Sequence, residues 1–208
     1  GAAWEAVEKI AALPELELKG VHCHIGSQIF GTDSYEIAAD RLLAFMGRYR
    51  DAYQRELPEL DLGGGYAIAY LPNEITVEPA DVIPALGRAV REAATKYSLA
   101  LPSISIEPGR AIAGPTTTTL YQVGTTKDVE LEDGKTRRYI AVDGGMSDNM
   151  RPALYDSVYE VCDPRRITAD RTATARVVGK HCESGDVLVF DAPVPSGVAV
   201  GDLLVTPV

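Results

Sequence analysis

Leu60-Asp61-Leu62-Gly63-Gly64-Gly65 is the stretch on which the fold turns. A short apolar strand pattern runs straight into three glycines, which permit positive φ and close approach of backbone to a neighbour or an anion. His24 stands 39 positions before Gly63, near the end of a strand pattern over 20–25. Glu107 stands 42 positions after Gly65, at the end of another over 103–107. The intervals read as helix. Residues 33–56 carry a stripe of Leu42, Leu43, Phe45, Met46, Tyr49 and Tyr53, and Asp33-Ser-Tyr-Glu36 fits a capping box at the start. Residues 82–98 bring Leu86, Ala89, Val90, Ala93 and Tyr97 to one face, with Pro84 expected in the first turn. A further helix is expected over 4–13, with Trp4, Val7, Ile10 and Ala11 on one side. Two successive βα units of this length predict parallel strands with crossover helices. In such folds ligands gather at the carboxyl ends of strands, where all three motifs lie.

The pattern changes near residue 114. Strands are expected over 116–124, 136–142, 173–178, 187–190 and 203–206, with Glu132-Asp133-Gly134 as a hairpin turn and Pro193, Pro195 and Gly197 in loops. The predicted fold class is therefore α/β plus β: βα units over 1–113, then an antiparallel β domain over 114–208.

Composition narrows the function. The chain has 208 residues, 46% hydrophobic and 24% charged, which fits one large or two small folded domains and excludes general disorder. No apolar run approaches the roughly 18 residues of a membrane span, and no signal-peptide pattern opens the chain. A formal net charge of −10 argues against a nucleic-acid partner. Cys23, Cys162 and Cys182 are unevenly spaced, so no disulfide framework is expected, and a reduced cytoplasmic setting is. The chain opens Gly-Ala-Ala-Trp without Met and stops directly after a strand pattern, as an excised piece would.

Five motifs carry chemistry. In His22-Cys23-His24-Ile25-Gly26-Ser27, strand alternation puts both imidazoles on one face. Zinc is set aside because no third ligand lies at ligand spacing. His22 is expected as a packed polar core residue. His24 precedes a small loop suited to a phosphate, and its ring is placed to lie on a bound aromatic ring. Gly63-Gly64-Gly65 is either an anion cradle or a tight turn; it lacks the dinucleotide fingerprint. In Glu107-Pro108-Gly109-Arg110 the Ser103, Ser105 and Glu107 face is expected to point into a barrel interior. Glu107 there needs a partner, either a ligand's protonated ring nitrogen or Arg110. Arg151, beside Pro152 at the start of a short helix, is placed to clamp a carboxylate bidentately or is simply solvated. In His181-Cys182-Glu183-Ser184-Gly185-Asp186 the acidic surroundings suit a proton-donating thiol better than a nucleophile; the alternative is an ordinary turn.

In this order, the five motifs resemble the pyridoxal-phosphate-dependent decarboxylases of the alanine-racemase-like barrel fold (fold-type III), and within them the diaminopimelate decarboxylases. Arg151-Pro-Ala-Leu-Tyr155 and Cys182-Glu183-Ser184-Gly185-Asp186 are the more specific stretches. The resemblance implies pyridoxal 5'-phosphate as cofactor, a homodimer with shared sites, and decarboxylation of meso-2,6-diaminopimelate to L-lysine. It implies that His24 stacks on the cofactor ring, that Ser27 and the amides of Gly63, Gly64 and Gly65 hold its phosphate, and that Glu107 meets its ring nitrogen. It assigns the substrate's distal carboxylate to Arg110, Arg151 and Tyr155, its distal ammonium to Glu183, and the returned proton to Cys182 from the second subunit. One feature departs from the family. The lysine that holds the cofactor covalently lies there on an early barrel strand, in a Tyr-Ala-x-Lys-like context. None of Lys9, Lys19, Lys96, Lys127, Lys135 and Lys180 has that context. The expectation is a C-terminal fragment, inactive alone, with the last βα units of a barrel and most of a β domain. The alternatives are a sister decarboxylase acting on ornithine, arginine or carboxynorspermidine, and a non-catalytic homologue that acts as a binding partner.

Overall fold

In the computed structural model, which describes residues 1–207, the chain divides into two compact units. The first comprises residues 1–68 and 75–112; the second comprises 69–74 and, among the described residues, 113–207.

The first unit alternates helix and strand: α1 (Ala2–Ala11), β1 (Gly20–His22), α2 (Asp33–Tyr53), β2 (Glu59–Asp61), α3 (Pro79–Lys96), β3 (Ser103–Ser105) and the short α4 (Gly109–Ala113), whose last residue falls in the second unit. The three strands form a parallel sheet in the order β1-β2-β3. Its register aligns His22 with Asp61 and Asp61 with Ser105 across one face. Leu60, Leu62, Leu43, Met46, Leu86 and Val90 supply the core, with Trp4 packed edge-on to Phe45 at its margin. Burying such side chains stabilises the unit by about 1.5–3 kcal/mol each.

Local details differ from the sequence pattern. The strands are only three residues long, although backbone hydrogen bonds continue past their ends from Cys23 N to Asp61 O at 3.2 Å and from Leu62 N to Ser105 O at 3.0 Å. α2 is capped by Thr32 and not by a box at Asp33; the Thr32 hydroxyl donates to Glu36 Oε1 at 3.3 Å instead of to an amide. α3 begins three residues early, with Pro79 in its first turn, so Pro84 lies inside the helix. The lost bond is only the one to the Ala80 carbonyl, at a helix start where few bonds exist.

The second unit is a five-stranded sheet in the order β7-β6-β5-β4-β8. Its strands are β4 (Thr118–Glu130), β5 (Thr136–Val142), β6 (Ala173–Val178), β7 (Val187–Val194) and β8 (Leu203–Pro207), with the one-turn-plus helix α5 (Arg151–Tyr155) after β5. β4 and β5 form the expected hairpin, turning at Gly134 with φ +77°. The sheet is mixed, not wholly antiparallel: β5 and β6 run parallel, because the long 143–172 connection carries the chain back before β6 starts. Alternating residues such as Val123, Ile140, Val177, Val189 and Leu204 build its core. Segment 69–74 belongs here through Tyr70, which meets the ring of Tyr159 edge-on at 5.4 Å. No helix among the described residues is long and apolar enough to cross a membrane.

Candidate active site

In the first unit, three strand ends meet at the glycine trio. Gly63 has φ +70° and Gly65 φ +96°, backbone that L side chains avoid. A Cβ on Gly63 would overlap the Cys23 carbonyl oxygen, one on Gly64 the Glu107 carbonyl oxygen, and one on Gly65 the Gly26 carbonyl oxygen. Gly63 and Gly65 thus face the His22–Ser27 motif and Gly64 faces the Glu107 motif, and a side chain at any of them would push the strand ends apart. The trio is further tied by Glu107 N donating to Gly63 O at 2.9 Å and Ile29 N to Gly65 O at 2.9 Å. Tyr35 secures it from below: its hydroxyl donates to Gly64 O at 3.0 Å, and its ring stacks on Tyr66 with centroids 5.1 Å apart. Burial pushes both tyrosines up to about 12. Neither tyrosine was legible as a site residue: Tyr66 follows the glycines and Tyr35 opens a helix, and nothing in the sequence shows that their rings meet beneath the turn.

The amide of Gly63 is already committed, donating to Asp61 Oδ1 at 2.8 Å. This corrects the expectation that all three glycine amides are free for an anion. Among the described residues, nothing accepts from the amides of Gly64 and Gly65. His24 and Ser27 are exposed beside this crossing, and a Cβ on Gly63 would lie 3.3 Å from His24 Cα.

Glu107 is exposed rather than buried, and its ion-pair partner is His22 (Nε2 to Oε2, 3.4 Å), not Arg110. His22 is likewise exposed on the strand-end face, so it is no core residue. The parallel register explains the pairing: His22, Asp61 and the Glu107 end of β3 share one face. Their ligating atoms lie within 4.8 Å of one another, a possible metal grouping that sequence spacing hid because neighbouring strands supply the carboxylates. Arg110 has a buried Nη1 without a hydrogen-bond partner.

In the second unit, Arg151 opens α5 with its guanidinium 5.5 Å from the ring centroids of both Tyr70 and Tyr155. Its Nε is buried and unpartnered, so it is not a freely solvated arginine. Burial raises the Tyr159 hydroxyl, and the Arg151 charge and hydrogen bond oppose that rise. Tyr155 is exposed, and so are Cys182 and Glu183 on the loop between β6 and β7.

Residues 1–114 match the pyridoxal-binding domain of pyridoxal-dependent decarboxylases, and residues 97–207 match the C-terminal sheet domain of the same proteins. The chain belongs to the pyridoxal-dependent decarboxylase family. It is 48% identical to the diaminopimelate decarboxylase of Corynebacterium efficiens, covering 98% of this chain and 44% of that protein. It is 42% identical to that of Bacillus subtilis, covering 96% and 44%. The crystal structure of diaminopimelate decarboxylase from M. jannaschii in complex with L-lysine superimposes with a TM-score of 0.77 at 26% identity, covering 99% of this chain and 45% of that one. The chain spans less than half the length of these relatives. As a member of this family it has the expected fold: βα units of the pyridoxal-binding barrel followed by the sheet domain, with one parallel strand pair in the latter.

Pyridoxal phosphate is the family's cofactor, and the first unit suits it. Two unpartnered glycine amides lie at a turn stripped of side chains, an acid stands at the neighbouring strand end, and an imidazole stands beside them.

Proposed function

We propose that this chain is part of a decarboxylase that converts meso-2,6-diaminopimelate to L-lysine and carbon dioxide, acting as a homodimer with shared sites. The observation that carries the proposal is the glycine crossing, which brings the His24-to-Ser27 loop and Glu107 to the amides of Gly64 and Gly65, neither of which donates a hydrogen bond among the described residues. When bound, pyridoxal phosphate supplies an electron sink for the pair left behind by departing carbon dioxide. The amides of Gly64 and Gly65 and the Ser27 hydroxyl would donate to the phosphate, while Gly63 gives its amide to Asp61 and shapes the turn. His24 would stack on the cofactor ring. Glu107 would accept from the ring nitrogen and so favour its protonated, charged form. Arg110, Arg151 and Tyr155 hold the distal carboxylate, for which a planar guanidinium is the matching donor. Glu183 accepts from the distal ammonium. Cys182 Sγ, from the second copy, returns a proton to the α-carbon.

The test is to express the protein at the length of its relatives and measure carbon dioxide and L-lysine from meso-diaminopimelate. A folded, cofactor-loaded protein without this activity would sink the proposal. Arg151→Ala should cost about 1.5–3 kcal/mol of substrate binding, at least a tenfold loss in kcat/KM. If the natural substrate is ornithine or arginine, which have no second carboxylate, the same substitution leaves turnover unchanged. The 208-residue chain alone should show no turnover.

A further inference from the structure

Asp186 closes the loop that carries Cys182 and Glu183, yet it belongs to none of the roles above. It is 3% exposed, as buried as Asp163. No cation neutralises it among the described residues. Two amides from different parts of the chain meet its carboxylate instead. Met146 N donates to Oδ1 at 2.6 Å, and His181 N donates to Oδ2 at 2.8 Å. Met146 lies in the turn after β5 that leads to Arg151. His181 lies beside Cys182 on the loop between β6 and β7. The same two segments are joined by Lys180 N donating to Gly144 O at 2.9 Å, and by His181 Nε2 and Ser147 Oγ at 2.8 Å. The loop then closes on Asp186 itself, through Gly179 N to Asp186 O at 2.9 Å and Asp186 N to Glu183 O at 3.1 Å.

Two glycines make room for the carboxylate. A Cβ on Gly145 would stand 2.8 Å from both of its oxygens, and one on Gly179 would overlap them. A buried charge is retained only where its hydrogen bonds are strong and complete. The chemistry explains why an acid is required. Each carboxylate oxygen faces an N–H donor, and an amide of the same shape would turn its own donor against one of them.

We infer that Asp186 is a positioning residue, which clips the Cys182–Glu183 loop to the 144–147 turn so that the thiol and the acid are presented in fixed places. The inference rests on the reading of Cys182 as proton donor. It concerns how that thiol is held.

The experiment compares Asp186→Asn with Asp163→Asn in the full-length holoenzyme. Asp163 is an equally buried carboxylate of the same unit, bonded to Arg165 N and Arg166 Nε at 2.9 and 2.7 Å, and it makes no bond to the loop. In Asp186→Asn, amide hydrogen exchange should accelerate at least tenfold in peptides covering 143–150 and 179–187 together, and kcat should fall at least tenfold. Asp163→Asn should leave both within twofold at temperatures where it stays folded. If Asp186→Asn does not fold, Gly179→Ala keeps the charge but displaces it and should give the same paired acceleration. Exchange that changes in only one peptide, or an unchanged kcat, overturns the inference. A Cys182→Ala variant with full kcat defeats the proton-donor reading instead, and the paired exchange then decides Asp186 on its own.

Discussion

The two units hold their site residues by opposite means. In the first, three strands of three residues each end in a knot of backbone, and glycines 63–65 are dictated by carbonyl oxygens that leave no space for a side chain. In the second, strands of up to 13 residues build a core first, and the exposed residues Tyr155, Cys182 and Glu183 ride on connections pinned by buried polar groups. Backbone crowding tolerates no substitution but leaves a readable sequence mark. A side-chain pin tolerates more and leaves almost none.

Gly64→Ala is the sharpest way to break this contrast. Its Cβ would collide with the Glu107 carbonyl, and overpacking against backbone in a buried turn should cost about 3 kcal/mol or more. Gly185→Ala, in the Cys182 loop, meets nothing within 4 Å and should stay within about 0.5 kcal/mol. Chemical denaturation of both variants checks the pair; equal losses would erase the distinction.

Tyr35→Phe should cost about 1–3 kcal/mol, because the buried Gly64 carbonyl loses its donor while the ring stack survives. Weakened cofactor retention should accompany it, measured by dialysis of the holoenzyme. A variant that is destabilised but holds cofactor normally would separate the support from the site.

The smallest effect lies at high pH. Tyr35 and Tyr66 titrate near 12 in the folded chain, against an ordinary value near 10. The folded state therefore keeps protons that the unfolded chain gives up. The stability from this source is fully present below pH 10 and is lost as pH rises through about 12. Ultraviolet titration should show tyrosines ionising late, together with unfolding, and Tyr35→Phe should remove part of that late fraction.

The first unit was largely legible in the sequence because its decisive residues stand at strand ends with fixed spacing. His24, the glycines and Glu107 announce themselves as breaks in an apolar pattern. What was not legible came from register. His22 looked like a core residue until β2 and β3 brought Asp61 and Glu107 alongside it. Pro84 misplaced the start of α3, since a proline six residues in is indistinguishable by pattern from one in the first turn. In the second unit the strands were legible from alternation, but the β5–β6 direction was not, because a 30-residue connection permits either. Asp186 read as the last letter of a turn motif; only the fold shows it reaching back 40 positions to Met146.

Segment 69–74 changes how this protein can be cut. A sheet unit cloned from residue 114 onward would forfeit Tyr70, and with it the ring against which Tyr159 and Arg151 rest. Recombination at that seam would graft a scaffold missing one wall of its own arginine cage, so useful chimeras must carry the six-residue ribbon along.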